Sequence, residues 1–338
     1  MSVNLIPLLQ AAYAQRGELL QQLHAESTNA YRLFHGSVEG ESGLTVDRYG
    51  SLLLVQTFHQ PLAEGQLAAI SEYYGSVLPG LTTVYNDRSD ANSRIRNSLP
   101  EAELEAAMLP REAQELGVNY RVQGRHAGQD PWLFLDLRAG RRRVMQEAAG
   151  KSVLNLFAYT CGVGIAAAKA GAEYVVNVDF AESSLRVGKD NARLNDLAIR
   201  PRFVQSDVFP AVRQLSGIGQ PLVVRGKRMP PFPKLEARQF DLVFLDPPRH
   251  AKSLFGVVDL VNDYPSVFKP ALLATAEGGT IICCNNVAQV EAEPWLDQLQ
   301  RSAAKAGRPV KEFEWITPEA DFPSSDGKHP LKIALLRV

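Results

Sequence analysis

Several stretches of this chain end in side chains able to do chemistry. Ala158-Tyr159-Thr160-Cys161-Gly162-Val163-Gly164 lies between an apolar stretch and a run of small residues. Glycines at such a strand-to-helix turn let backbone approach a ligand, and the helix start supplies free N–H groups. Asp179 closes the next apolar stretch, where a carboxylate can accept both ribose hydroxyls of an adenosine. Asp207 closes a third, placed either to receive the exocyclic amine of adenine or to cap the following helix. Asp246-Pro247-Pro248-Arg249 closes a fourth. Its prolines stop the strand, restrict Asp246 and remove two N–H donors, which leaves a fixed turn with exposed carbonyls. Cys283-Cys284-Asn285-Asn286 closes a fifth, with thiols that can act as nucleophiles beside amides that can orient a base edge. Taken alone, Gly162-x-Gly164-x-x-Ala167 with Asp179 reads equally as a dinucleotide fingerprint, and so as a nicotinamide oxidoreductase. The plainer reading of such glycines is a tight turn and a helix cap.

The elements that must position these groups alternate. Residues 152–157, 174–179, 202–205, 240–246 and 280–284 have strand character, while 164–170 and 183–195 have helical character. That rhythm implies βαβ units and a mainly parallel, doubly wound sheet, to which 313–316 and 331–338 add a terminal hairpin. Upstream, 5–23 carries apolar positions at helical spacing. Short strands follow at 31–34, 44–46, 52–58, 82–86 and 117–123, with a helix at 62–74. Three parts are expected: a helical extension at 1–29, a smaller α+β domain at 30–130, and the α/β domain at 131–338. Within the last, 217–238 interrupts the pattern with prolines and with Arg225, Lys227, Arg228, Lys234 and Arg238 against Glu236, and reads as a basic loop.

The chain has 338 residues, enough for about two domains and a sizeable core without metal or disulfide support. With 36 Lys+Arg against 37 Asp+Glu, no overall charge advertises a polyanionic partner, although a local basic face fits inside that balance. Cys161, Cys283 and Cys284 cannot build a disulfide framework, which points to a reducing compartment. The histidines are scattered and no zinc set is present. No signal peptide and no membrane span is expected, so the location expected is the cytoplasm.

In order, Asn155-Leu156-Phe157-Ala158-Tyr159-Thr160-x-Gly162, Asp179, Asp207 and Asp246-Pro-Pro resemble the class I S-adenosylmethionine-dependent methyltransferases. Trp132-Leu133-Phe134-Leu135-Asp136-Leu137-Arg138 is similar to the F-L-D-x-R element of the 23S ribosomal RNA methyltransferases that modify cytosine C5 or guanine N7. Gly43-Leu44-Thr45-Val46-Asp47-Arg48-Tyr49-Gly50 is similar to their G-L-x-x-D-R-Y-G, and Asp87-Arg88-Ser89-Asp90 to their E-R-S-D. The resemblance covers about residues 30–338; residues 1–29 are too short for the N-terminal PUA domain of cytosine-modifying members. It implies a seven-stranded Rossmann-like sheet and S-adenosylmethionine as cofactor. By the same resemblance Asp136 and Arg138 flank its methionine end, and Asn155 and Phe157 to Gly162, through Ala158, Tyr159 and Thr160, wrap the amino-acid portion. Asp179 holds the ribose, Asp207 the adenine, and Asp246 lies beside the methyl. The implied partner is RNA, 23S ribosomal RNA or an assembling large subunit, and members pair as homodimers.

Which atom accepts the methyl turns on the fifth strand end. Pyrimidine C5 is too weak a nucleophile unless a thiolate first adds at C6, whereas guanine N7 carries a lone pair and needs only orientation. Cytosine-modifying relatives have F-S-C-S here and guanine-N7 relatives F-S-N-N. Alignment on the glycines puts Asn285 at the nucleophile position, with Cys284 one residue out of register. Guanine N7 is therefore favoured. The alternative is a C5 methyltransferase with Cys284 as nucleophile, since Cys284-Asn285 is also similar to the S-C-N of uracil-C5 enzymes. The catalytic set expected is Asp246, Pro247, Pro248, Asn285 and Cys284. Arg88, Arg94, Arg96 and the loop from Arg225 to Arg238 are the expected RNA-contacting surfaces. A non-catalytic RNA-binding module is the remaining rival.

Overall fold

The computed structural model describes residues 4–90, 99–125, 131–224 and 227–338; Arg94, Arg96 and Arg225 lie outside the described residues. The chain divides into two compact units, Met1–Arg138 with Glu319–Lys328, and Ala139–Pro318 with His329–Val338.

In the first unit, α1 (Ile6–Gln15) and α2 (Gly17–Ala25) precede β1 (Ala30–His35), the short α3 (Gly36–Glu39), β2 (Leu44–Tyr49) and β3 (Leu52–Thr57). Then come α4 (Gln66–Val77), β4 (Thr82–Asp87), α5 (Glu101–Met108), β5 (Arg111–Glu115) and β6 (Val118–Val122). Strands β1 to β4 form one sheet in sequence order; β1–β2 and β2–β3 run antiparallel, and β3–β4 runs parallel across α4. The apolar run expected as one helix breaks at Arg16, whose backbone sits at φ −88° and ψ 0° ahead of Gly17. The described part of the expected extension, residues 4–29, packs into the first unit. Leu5, Leu9, Leu20 and Leu23 share one core with Tyr31, Phe34, Leu53 and Tyr74. Strand β5 was not expected because Arg-Glu-Ala-Gln-Glu lacks apolar alternation; it forms because Leu116 (φ +53°) and Gly117 (φ +73°) close a two-residue hairpin onto β6.

In the second unit, which begins at the second residue of α6 (Arg138–Glu147), the further helices are α7 (Gly162–Lys169), α8 (Glu182–Arg193), α9 (Val208–Leu215), α10 (Pro265–Leu273) and α11 (Ala292–Lys305). The strands are β7 (Ser152–Leu156), β8 (Tyr174–Asp179), β9 (Arg202–Gln205), β12 (Phe240–Leu245), β15 (Thr275–Asn285), β16 (Glu312–Trp315) and β17 (Lys332–Arg337). Two small ribbons, β10 (Val223–Val224) with β11 (Lys227–Arg228) and β13 (His250–Lys252) with β14 (Val257–Asp259), stand apart from the main sheet. That sheet has seven strands in the order β16-β17-β15-β12-β7-β8-β9. From β15 to β9 it is parallel, and β17 pairs antiparallel with both β15 and β16, which gives the expected terminal hairpin.

The order reverses beside β7: β8 and β9 lie on one side, β12 and β15 on the other. Ligands bind outside the carboxyl ends of parallel strands at such a reversal. Helix α10 was not expected, because Pro265 and Pro270 argue against one. Pro265 occupies the first helical position, where its missing N–H is not needed. The expected boundary at 130/131 also moves. Residues 131–138 belong with the first unit, where the Arg138 side chain bonds Glu319, Asp321 and the carbonyl of Ala30. Among the described residues no helix is long and apolar enough to cross a membrane, and no cluster of His, Cys, Asp or Glu could hold a metal ion.

Candidate active site

Strand register aligns most of the expected residues of the second unit. Leu156 pairs with Val178 and Leu245, and Leu245 pairs with Cys283. One residue further on, Phe157, Asp179, Asp246 and Cys284 occupy one row along the carboxyl edge. Asp179 pairs with Gln205, so Asp207 lies just past the same edge.

The turn from β7 into α7 is wound tightly, with Phe157, Tyr159 and Cys161 at φ +58°, +48° and +64°. Non-glycine residues adopt this region at an energetic cost, so the surroundings must enforce it. They do so through hydrogen bonds. Ala158 N–H donates to the Val178 carbonyl at 3.0 Å, Cys161 N–H to the Ala158 carbonyl at 2.7 Å, and the Asn191 amide to the Thr160 carbonyl at 3.0 Å. Gly188 on α8 completes the fit, since a Cβ there would lie 2.5 Å from the Cys161 sulfur. Ala158 and Thr160 are buried by this winding, while Phe157, Tyr159 and Gly162 stay half-buried.

Asp179 accepts the N–H of Tyr159 and that of Ala181, both at 2.8 Å. Burial raises its pKa above the ordinary carboxylate value, and these backbone donors pull in the opposite direction. The next residue, Phe180, is 68% exposed. Sequence reading missed this ring; the signal was an aromatic residue directly after a strand-end aspartate. Half-buried Asp207 caps α9, accepting the Phe209 N–H at 2.8 Å, so the capping role is present and, among the described residues, its other oxygen is left over. Asp246 is half-buried, Pro247 buried and Pro248 half-buried.

Four expected site residues sit otherwise than expected. Asn155 is buried within β7 and donates to the Asn177 side chain at 2.9 Å. Gly164 packs against that pair, where a Cβ would lie 2.0 Å from the Asn177 oxygen, so Asn155 joins strand to helix rather than facing a ligand. Arg138 is wholly buried and donates to Glu319 at 2.7 Å, Asp321 at 2.6 Å and the Ala30 carbonyl at 3.0 Å. Burial disfavours its charge, but Asp321 and Glu319 outweigh that and hold its pKa above the ordinary value. It is an internal ion pair, with no exposed surface for a methionine carboxylate. Its neighbour Asp136 is half-buried in the first unit, where its charge contributes to the field on Arg32.

Cys284 and Asn285 are both 0% exposed. The Asn285 amide donates to the Leu260 carbonyl at 3.3 Å and its oxygen accepts the Val287 N–H at 3.0 Å, so both polar ends of the side chain are engaged within the protein. The Cys284 carbonyl accepts the hydroxyl of buried Tyr264 at 2.9 Å. Strand β15 runs one residue further than expected, which draws Cys284 and Asn285 inside and makes Asn286 the first exposed side chain. An open cleft of about 530 Å³ in the first unit, lined by Glu41, Ser42, Gln60 and Gln66, holds none of these groups.

The edge of the second unit thus offers carboxylates at three strand ends and an exposed aromatic face. A nucleoside carrying a positive sulfonium presents the matching groups: hydroxyls and an amine that donate, a flat ring and a cation. The residues fit such a group. The crystal structure of SMU.776, complexed with SAH, superposes with a TM-score of 0.78 over 100% of this chain and 83% of that one, at 23% identity. A Streptococcus mutans structure gives 0.72 over 100% and 82%, at 22% identity. Both likenesses concern the fold. In sequence, the chain is 29% identical over 320 residues to the ribosomal RNA large subunit methyltransferase I of Aeromonas salmonicida (strain A449), covering 93% of this chain and 74% of that protein. The protein of that name from Escherichia coli (strain SMS-3-5 / SECEC) is 28% identical over 322 residues, with the same coverage. Residues 31–337 match the model of the S-adenosylmethionine-dependent methyltransferase family. That match runs through both units and removes the nicotinamide reading, so the chain belongs to the S-adenosylmethionine-dependent methyltransferases and takes S-adenosylmethionine as its methyl donor.

Proposed function

We propose that the chain methylates a base of large-subunit ribosomal RNA at guanine N7, without a covalent enzyme–base intermediate, in the cytoplasm. The relatives named as large-subunit ribosomal RNA methyltransferases support the RNA substrate. The observation that carries the choice of atom is the burial of Cys284. Addition to pyrimidine C6 needs a thiolate that reaches the base, and all three cysteines are buried.

The bound cofactor supplies an electrophilic methyl group. In this reading Asp179 accepts from the ribose hydroxyls, Phe180 lies against the adenine ring and Asp207 accepts from the adenine amine. Tyr159, Thr160 and Gly162 surround the amino-acid portion. Asp246, held by Pro247 and Pro248, lies beside the methyl, and exposed Asn286, rather than buried Asn285, takes the base-orienting role. The target nucleotide must be unpaired or extruded to reach this edge. Exposed Arg228, Lys234 and Arg238 are placed to meet phosphates. In the first unit Arg88 lies over the exposed Phe58 ring, 5.2 Å from its centre, a pair suited to phosphate and base contact.

The test is nucleoside mass spectrometry on ribosomal RNA from cells lacking the gene, treated with the protein and isotopically labelled S-adenosylmethionine. Both naked RNA and particles serve as substrate. Label in 7-methylguanosine is expected. Label in 5-methylcytidine or 5-methyluridine overturns the choice of atom and makes Cys284 the nucleophile. No label in any RNA, with cofactor binding intact, overturns the substrate.

A further inference from the structure

Directly after Asp246-Pro247-Pro248 the chain rises into a hairpin. Strands β13 and β14 pair His250 with Asp259, Ala251 with Val258 and Lys252 with Val257, and the Leu260 N–H adds a rung to the Arg249 carbonyl at 3.1 Å. The hairpin is stiff. Ser253 N–H donates to the Gly256 carbonyl at 2.9 Å, and its hydroxyl accepts the N–H of Phe255 at 3.1 Å and of Gly256 at 3.3 Å. Phe255 meets the Phe232 ring edge-on at 5.8 Å. Gly256 lies so close to Phe209 that a Cβ would sit 2.6 Å from its ring, and Val258 and Leu260 anchor the returning strand in the core.

At the crest stands Leu254, 78% exposed, the most exposed large apolar side chain among the described residues. Three strand residues, His250 to Lys252, at about 3.3 Å each carry the chain roughly 10 Å from Arg249, and Leu254 lies two residues beyond them. A stiff element that ends in an exposed leucine offers an apolar contact, and its flanks restrict what can take it. Arg249, His250 and Lys252 are all exposed. Asp259, across from His250, is tied to the N–H groups of Val261 and Asn262 and to the Asn262 amide. A two-fold contact between copies of this hairpin would bring the cations together. A nucleic acid offers the complement, phosphates outside and an apolar gap between bases.

We propose that Leu254 is a wedge. It enters the base stack beside the target nucleotide and fills the space vacated as that base turns towards Asp246, while Lys252 and Arg249 bind the flanking phosphates. Apolar side chains inserted between base steps unstack them in this way. The inference rests on the reading of an RNA base as substrate.

The test uses two RNA substrates of equal sequence around the modified nucleotide, one with that nucleotide paired and one with it bulged. Leu254→Ala is expected to lower kcat/KM on the paired RNA about tenfold and on the bulged RNA less than about twofold, because only the first requires unstacking. Leu254→Met should restore the paired substrate. S-adenosylhomocysteine affinity should match the unaltered protein, which reports that the variant is folded. Equal losses on both RNAs, or no loss on either, overturn the wedge. A change of sedimentation mass with the paired-to-bulged ratio unchanged overturns it in favour of a contact between two copies of the chain. If the unaltered protein binds S-adenosylhomocysteine but methylates neither RNA nor ribosomal particles, the substrate reading fails and the wedge with it. A wedge failure alone leaves methylation of both RNAs in place.

Discussion

The first unit and the sheet edge of the second both gather charged side chains, and they treat them in opposite ways. In the first unit charges alternate. Arg138 lies between Glu319 and Asp321, Arg32 donates to Asp47 at 2.8 and 3.1 Å, and Arg16 pairs with Glu39. Asp321 also accepts the Arg32 N–H at 3.0 Å. At the sheet edge, Asp179 and Asp207 are held by backbone N–H groups instead. A carboxylate facing a buried guanidinium spends its acceptor capacity on that partner, and the cluster is closed. One fixed by peptide N–H groups keeps lone pairs for a ligand, since its oxygens together offer about four acceptor sites. Burial without a counter-charge raises the pKa of Asp179, a perturbation that carboxylates at functional sites commonly share.

The largest effect expected is Asp321→Ala. It removes one of the two carboxylates that buried Arg138 bonds, and breaking such a pair costs about 3–5 kcal/mol. Urea unfolding should show that loss, with S-adenosylhomocysteine affinity unchanged while the protein stays folded. A loss of affinity without a loss of stability would return Arg138 to the cofactor and break the contrast.

Asp179→Asn tests the other side. An amide cannot accept from both peptide N–H groups and also from a diol, so S-adenosylhomocysteine affinity should fall about 10- to 100-fold, the worth of one or two lost hydrogen bonds to a charged group. Titration calorimetry measures it, and unchanged affinity would remove Asp179 from the site. The same carboxylate predicts a pH dependence. Its pKa in the fold is raised, so protonation on acidification begins nearer neutrality than for a free aspartate at 3.8. Affinity should be full at neutral pH and fall as pH drops through that raised value, up to about tenfold per pH unit below it. A midpoint at or below the ordinary value would show that Asp179 is better solvated than its burial implies.

The sheet was legible because its signals were local. Strands 174–179 and 202–205 alternate with helices and end in Asp179 and near Asp207, and the structure gives Tyr174–Asp179 and Arg202–Gln205. Composition could not show which polar residues are consumed inside. Asn155 and Asn177 bond each other across two strands, and Arg138 meets acids at positions 319 and 321, far along the chain. A long-range partner leaves no mark in the spacing around either residue. Phe180 went unremarked for the opposite reason: an aromatic after a strand reads as core until its exposure is known.

Cys284→Ala should have the smallest effect, and it separates the two chemistries. The thiol is fully buried at the end of β15, while the contact that fixes this strand end runs from Tyr264 to a backbone carbonyl, which alanine keeps. Stability should fall by about 1 kcal/mol, as for a modest loss of buried volume. Methyl transfer to ribosomal RNA should stay within about twofold, since a buried thiol that never adds to the base takes no part in the transfer. A nucleophile behaves otherwise: its removal abolishes transfer while cofactor affinity and unfolding stay unchanged. That outcome would require β15 to release its last residues when RNA binds, and Tyr264→Phe, which frees the Cys284 carbonyl, would then raise the rate rather than leave it unchanged.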